Sequence, residues 1–190
     1  MTAIPAQTQR VADYLRTEQE TGERYAFYNG RLEQMAGGSI PHNRISRNIL
    51  VSLGALLAQR PDWEIFGSDQ KIYLPKYNFY VYPDVVVVAG APLQLEAEAN
   101  AIINPLLIVE ILSSSIEHYD RGQKFIEYQS LPSFREYVLL RQDIPEALVF
   151  FRESPDVWRS TETTGLDKTL YLASLEFTLE MAAVYYKVEC

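Results

Sequence analysis

Apolar residues recur every three or four positions from His42 to Gln59, at Ile45, Ile49, Leu50, Leu53, Leu56 and Leu57. That spacing predicts a long amphipathic helix with one buried face, stopped by Pro61. Upstream, Val11, Tyr14 and Leu15 stand at helical spacing between Thr8 and Glu20, with Thr8 as the expected cap. Arg24–Tyr28, Asn29-Gly30 and Arg31–Met35 then read as a tight hairpin, because Asn-Gly supplies the positive φ angles of a two-residue turn. Short strands are expected at Trp63–Phe66, Lys71–Leu74 and Val81–Val88, followed by a loop from Ala89 to Pro105. Leu106–Leu112 is an apolar run of the kind buried on both faces of a sheet. A helix from about Ile116 to Gln129 should follow, opened by Ser113-Ser114-Ser115 and closed by Leu131-Pro132. Further strands are expected at Glu136–Leu140, Leu148–Arg152, Val157–Thr161 and Thr169–Leu172, and a short helix near Leu179–Tyr185. A helix between two core strands implies an α/β fold with a mixed sheet in one domain, residues 1–190.

Two carboxylates break this pattern. Glu110 lies inside the apolar run Leu106-Leu107-Ile108-Val109-Glu110-Ile111-Leu112, and Asp84 opens Pro83-Asp84-Val85-Val86-Val87-Val88. An ionised acid on such a strand costs several kcal/mol unless a metal, a cation or hydrogen bonds compensate it. Neighbouring strands lie about 4.8 Å apart, so two acids at one level can share an ion. Magnesium or manganese would suit hard oxygen donors of this kind. The plain alternatives are an ion pair for Glu110 and a strand-end cap for Asp84. Asp120, Lys124 and Tyr128 follow at i, i+4 and i+8 on the next helix. Spacing alone suggests a surface Asp120–Lys124 pair, but a helix returning over the sheet directly after the acidic strand can reach that strand's end. His42 and His118 stand alone and read as surface or capping residues.

Composition narrows the classes. The chain has 190 residues and a net charge of −8, which argues against a protein that coats nucleic acid through phosphate neutralisation. It leaves room for an enzyme that meets DNA locally or through bound metal. No apolar run approaches the roughly 18 to 20 residues that span a bilayer, and Met1-Thr2-Ala3-Ile4-Pro5 lacks the features of a signal peptide. The one cysteine, Cys190, is the last residue, so no internal disulfide can form, and a cytoplasmic setting is expected.

The ordered set of Pro83-Asp84, Glu110 on a strand and a nearby lysine resembles the PD-(D/E)XK nuclease superfamily. The usual lysine position, two residues after the acid, is here Leu112. In that departure the chain resembles the Uma-two family of restriction-endonuclease-like proteins. Arg24-Tyr25 with Asn29-Gly30, His42, Pro83 through Val87, Pro105 through Ser113, Asp120, Lys124, Tyr128 and Glu136-Tyr137 follow the order of its motifs. Ala26 and Asn29 stand where the hairpin is usually acidic. The resemblance implies a restriction-endonuclease-like α/β core, a central mixed β-sheet flanked by helices, with an N-terminal helix and hairpin. It implies a metal-dependent endonuclease acting on DNA, in which Asp84, Glu110 and the Ile111 carbonyl hold magnesium or manganese. Lys124 would replace the missing lysine and orient water, with Asp120 orienting Lys124 and Tyr128 supporting the pocket. Many nucleases of this fold act as dimers, so a homodimer is compatible. The rival expectation is a nuclease-fold binding module without catalysis, and a third is a metal hydrolase of another substrate.

Overall fold

A computed structural model describes residues 10–35, 37–94, 100–112 and 120–189, with the side chains at 120 and 121 outside that set. Helix α1 (Val11–Thr21) starts at Arg10, whose backbone N–H donates to the Asp13 carboxylate, and stops at Gly22 in the left-handed region. The expected cap, Thr8, lies outside the described residues. Strands β1 (Tyr25–Tyr28) and β2 (Arg31–Gln34) form the hairpin across Asn29 and Gly30, whose φ values are 45° and 92°. Helix α2 (Ile40–Leu57) begins two residues before the expected His42. Ser39 is its cap and accepts the His42 backbone N–H, and Pro41 fits the first turn, where its missing N–H costs nothing.

Strands β3 (Trp63–Gly67) and β4 (Lys71–Leu74) lie where the pattern puts them. The single strand expected at Val81–Val88 is two: β5 (Phe79–Val81) and β6 (Val85–Ala89), in different sheets. Pro83 has no N–H for a ladder, so the chain leaves one sheet at Tyr82 and enters the other after Asp84. A two-residue strand, β7 (Ala101–Ile102), occurs in the expected loop. Strand β8 (Leu107–Leu112) follows, buried at every position. The serine start of the next helix and its first residues, 113–119, lie outside the described residues. The described part of that helix is a π turn, Asp120–Lys124, running into α3 (Phe125–Tyr128). The rest of the chain is β9 (Glu136–Arg141), β10 (Glu146–Ser154), β11 (Val157–Thr164), β12 (Thr169–Leu172), β13 (Phe177–Glu180) and α4 (Met181–Val184).

Among the described residues the strands form three sheets. The central one has the order β11-β10-β9-β8-β6-β3 and is mixed, since β8 and β9 run parallel and the other pairs antiparallel. A second, five-stranded sheet has the order β2-β1-β5-β4-β7, and β12 and β13 pair with each other. Alternation along the strands divides the core. Val85, Val87, Val109 and Ile111 face α2, α4 and the β12–β13 pair, whereas Val86, Val88, Ile108 and Leu112 face the second sheet and Tyr128. On the far side of the second sheet, Tyr14 of α1 stacks on Phe27.

Candidate functional site

The register of the two central strands sets the site. Val85 pairs with Val109, Val86 with Ile108 and Val87 with Leu107, so Asp84 and Glu110 come next at the same end. Asp84 sits just before β6, where regular pairing stops. Its Oδ2 accepts the Ile111 backbone N–H at 2.7 Å, supplying the acceptor that β6 no longer offers.

Glu110 is 4% exposed and shares its strand face with Ile108 and Leu112. Its Oε1 accepts hydrogen bonds from Lys124 Nζ at 3.0 Å and from the Tyr128 hydroxyl at 2.9 Å. Charge-assisted bonds of this kind compensate a buried carboxylate. Lys124 and Tyr128 both reach Glu110 because the crossover between the parallel strands β8 and β9 lays the π turn and α3 over that face. The structure thus pairs Lys124 with Glu110. The side chain of Asp120 lies outside the described residues, as does His118. Ala26, on β1, packs against the apolar cluster on this face and offers no side-chain oxygen.

His42 is the residue that sequence reasoning misplaced. Rather than lying on the surface or capping a helix, its ring is 3.0 Å from Asp84 through Nε2 and Oδ1, with side-chain exposures of 20% and 14%. Burial opposes the charged imidazole, but the hydrogen bond and charge of Asp84, then the charge of Glu110, outweigh it and raise the His42 pKa above 6.5. Among the described residues its buried Nδ1 has no hydrogen-bond partner, and it rests against Gly38, where a Cβ would lie 2.5 Å away. No local spacing could reveal this pairing, since Asp84 is remote in sequence and belongs to another element. The one signal was the position of a histidine in the first turn of a long helix.

Two further carboxylates, one half-buried and one buried, went unread. Glu18 of α1 accepts the Lys71 ammonium at 2.6 Å, the Tyr82 hydroxyl at 2.8 Å and the Tyr25 backbone N–H at 3.1 Å. Burial pushes the phenols of Tyr14 and Tyr82 beside it well above the usual tyrosine range. Tyr82 is two residues from Asp84, so this network anchors the segment that carries it. Glu136, fully buried on β9, accepts the backbone N–H groups of Ala173 and Ser174 and the Ser174 hydroxyl.

The donor set at the strand ends is two carboxylates beside main-chain oxygens, with an ammonium and an imidazole at their edges. Asp84 Oδ2 accepts the Ile111 N–H and Oδ1 is paired with the His42 ring, and each oxygen has capacity for a second acceptor interaction. Among the described residues no three His, Cys, Asp or Glu side chains form a metal cage. Magnesium binds through one or two carboxylates plus waters and phosphates and needs none. The chemistry of the donors fits such an ion.

Residues 11–183 match the Uma2 family model, described as "Putative restriction endonuclease". The uncharacterized protein sll1609 of Synechocystis sp. (strain ATCC 27184 / PCC 6803 / Kazusa) is 34% identical over 154 residues, covering 81% of this chain and 86% of that one. A second from the same organism, slr1290, is 30% identical over 176 residues, covering 91% and 89%. In fold the chain is similar to a crystal structure from Anabaena variabilis ATCC 29413 described as "a putative nuclease belonging to DUF820". That likeness has a TM-score of 0.72 at 14% identity, over 93% of this chain and 98% of the other. Among the described residues no helix is long and apolar enough to cross a membrane.

Proposed function

The chain belongs to the Uma2 family, and from that premise we propose that it is a metal-dependent endonuclease hydrolysing phosphodiester bonds in DNA. The observation that carries this reading is Glu110, a carboxylate kept on a strand buried on both faces, beside Asp84 and in contact with Lys124. A carboxylate placed there at such cost suits a ligand better than a structural pair. The family description, which names a restriction endonuclease, supports the choice of DNA.

Asp84 and Glu110, with the Ile111 carbonyl, would hold magnesium, and manganese would serve in its place. When bound, the ion lowers the pKa of a coordinated water and offsets charge on the phosphoryl oxygens. Lys124 directs its ammonium at the same carboxylate oxygen, where it can orient the attacking water and stabilise negative charge developing on the phosphate. Tyr128 fixes the Glu110 carboxylate through its hydroxyl. Asp120 would set the position of Lys124 from the turn before α3.

The 3.0 Å contact between Lys124 and Glu110 also favours a second reading, a nuclease-fold binding module in which the lysine simply neutralises the acid. Ala26, in place of an acidic hairpin residue, points the same way. Cleavage of supercoiled plasmid and single-stranded DNA with magnesium or manganese separates the two. Nicking by the wild type that Glu110→Ala and Lys124→Ala both lose is the expected result. Metal binding by calorimetry without DNA cleavage would shift the reading to a hydrolase of another substrate. Absence of both would favour the binding module.

A further inference from the structure

We infer that His42 is a positioning residue of this site, one that locks the Asp84 carboxylate in the orientation the proposed reaction needs. The inference rests on the nuclease reading. A carboxylate rotates freely about its terminal torsion unless both oxygens are engaged. Here Oδ2 accepts the Ile111 N–H at 2.7 Å, and Oδ1 is paired with His42 Nε2 at 3.0 Å. The two donors come from different directions, one from strand β8 and the other from the helix packed on the α2 face of the sheet. Together they fix the carboxylate plane, and the remaining lone pairs of Asp84 can meet an incoming ligand. Outer partners of this kind orient ligating carboxylates and hold the site to its geometry.

The segment before α2 is shaped around the ring. Ser39 accepts the His42 backbone N–H at 3.2 Å, and its own hydroxyl donates to Gln142 Oε1 at 2.7 Å, tying the helix start to the end of β9. Asn43 Nδ2 donates to the Gly38 carbonyl at 3.0 Å, and Gly38 presents no side chain where the ring lies. Helix stability does not account for the residue. Ser39 already caps α2, and a helix N-terminus favours anions over an imidazole.

Three variants test the assignment: His42→Gln, which keeps an N–H donor near the Nε2 position, His42→Leu, which keeps bulk without a donor, and Gly38→Ala, which crowds the ring while leaving His42 and Asp84 intact. Manganese affinity is read by electron paramagnetic resonance, and plasmid nicking is resolved into kcat and KM, beside a thermal unfolding control. His42→Leu and Gly38→Ala should bind manganese roughly tenfold or more weakly and lose kcat, with KM for DNA little changed. His42→Gln should recover most of both. Wild-type manganese affinity and kcat in His42→Leu would overturn the assignment, as would a failure of His42→Gln to exceed His42→Leu. If His42→Leu does not fold, Gly38→Ala decides alone, and wild-type affinity there overturns the inference. A wild type that neither binds manganese nor nicks DNA defeats the nuclease reading and this one with it. A wild type that nicks DNA beside unaffected variants defeats only the positioning role.

Discussion

At Glu110, one buried carboxylate oxygen accepts both an ammonium and a phenol. Lys124→Met keeps the length of the side chain and removes the charge. It should cost about 3 kcal/mol, the penalty for taking a cation away from a buried acid, read as a lower urea midpoint. Adding Glu110→Gln should restore most of that, because the amide still accepts from Tyr128 while the charge is gone; an additive double variant would refute the pairing. Glu136 makes a different prediction. Burial raises its pKa above 4.5 despite three donors. An acid whose folded pKa is raised contributes stability that is complete below its unfolded value and is lost as pH rises through the folded one. Thermal midpoints of the wild type should therefore fall relative to Glu136→Gln as pH climbs from about 4.5, whereas parallel curves would reject the shift. Glu110 and Asp84 were legible in the sequence because a charge inside an apolar run has few bland explanations. His42 was not, since a lone histidine opening a helix resembles a cap and its partner lies on a distant strand.

Among the elements, α1 is fastened to the second sheet through Tyr14 on Phe27 and through Glu18, which gathers donors from Lys71, Tyr82 and Tyr25. Glu18→Ala removes a carboxylate from Lys71, a residue only 7% exposed. Amide exchange across Val11–Thr21 should then rise before exchange in the central sheet does, as expected of a locally opening unit. Uniform acceleration over the whole chain would show instead that α1 and the sheet unfold together. Strong periodicity made α2, the hairpin and β8 readable. β5 and β6 were fused because Tyr82 keeps the run apolar, and only Pro83 hints at the exchange of sheets. β13 escaped because Phe177–Glu180 is too short to separate alternation from the start of α4.

Over the whole molecule, the α/β class and the mixed central sheet follow from the order of strands and helices, as the parallel β8–β9 pair bears out. The division into two large sheets did not, since alternation says that a strand has two faces and is silent on which neighbours cover them. With 25 acidic against 17 basic residues, the protein gains little from counterion release. Its affinity for duplex DNA without divalent ions should be weaker than roughly 10⁻⁴ M at physiological salt. Fluorescence anisotropy with and without magnesium measures this, and tight metal-free binding would place the contact on a local basic surface instead. The site gathers His42, Asp84, Glu110 and Lys124 from four separated stretches of chain, and β8 acquires its second neighbour only when Glu136–Arg141 is in place. A polypeptide cut short before β9 leaves β8, the strand that carries Glu110, without one of the two strands beside it. Under the proposed reading, DNA cleavage should await synthesis of that strand, and fragments that end before it should leave supercoiled plasmid intact.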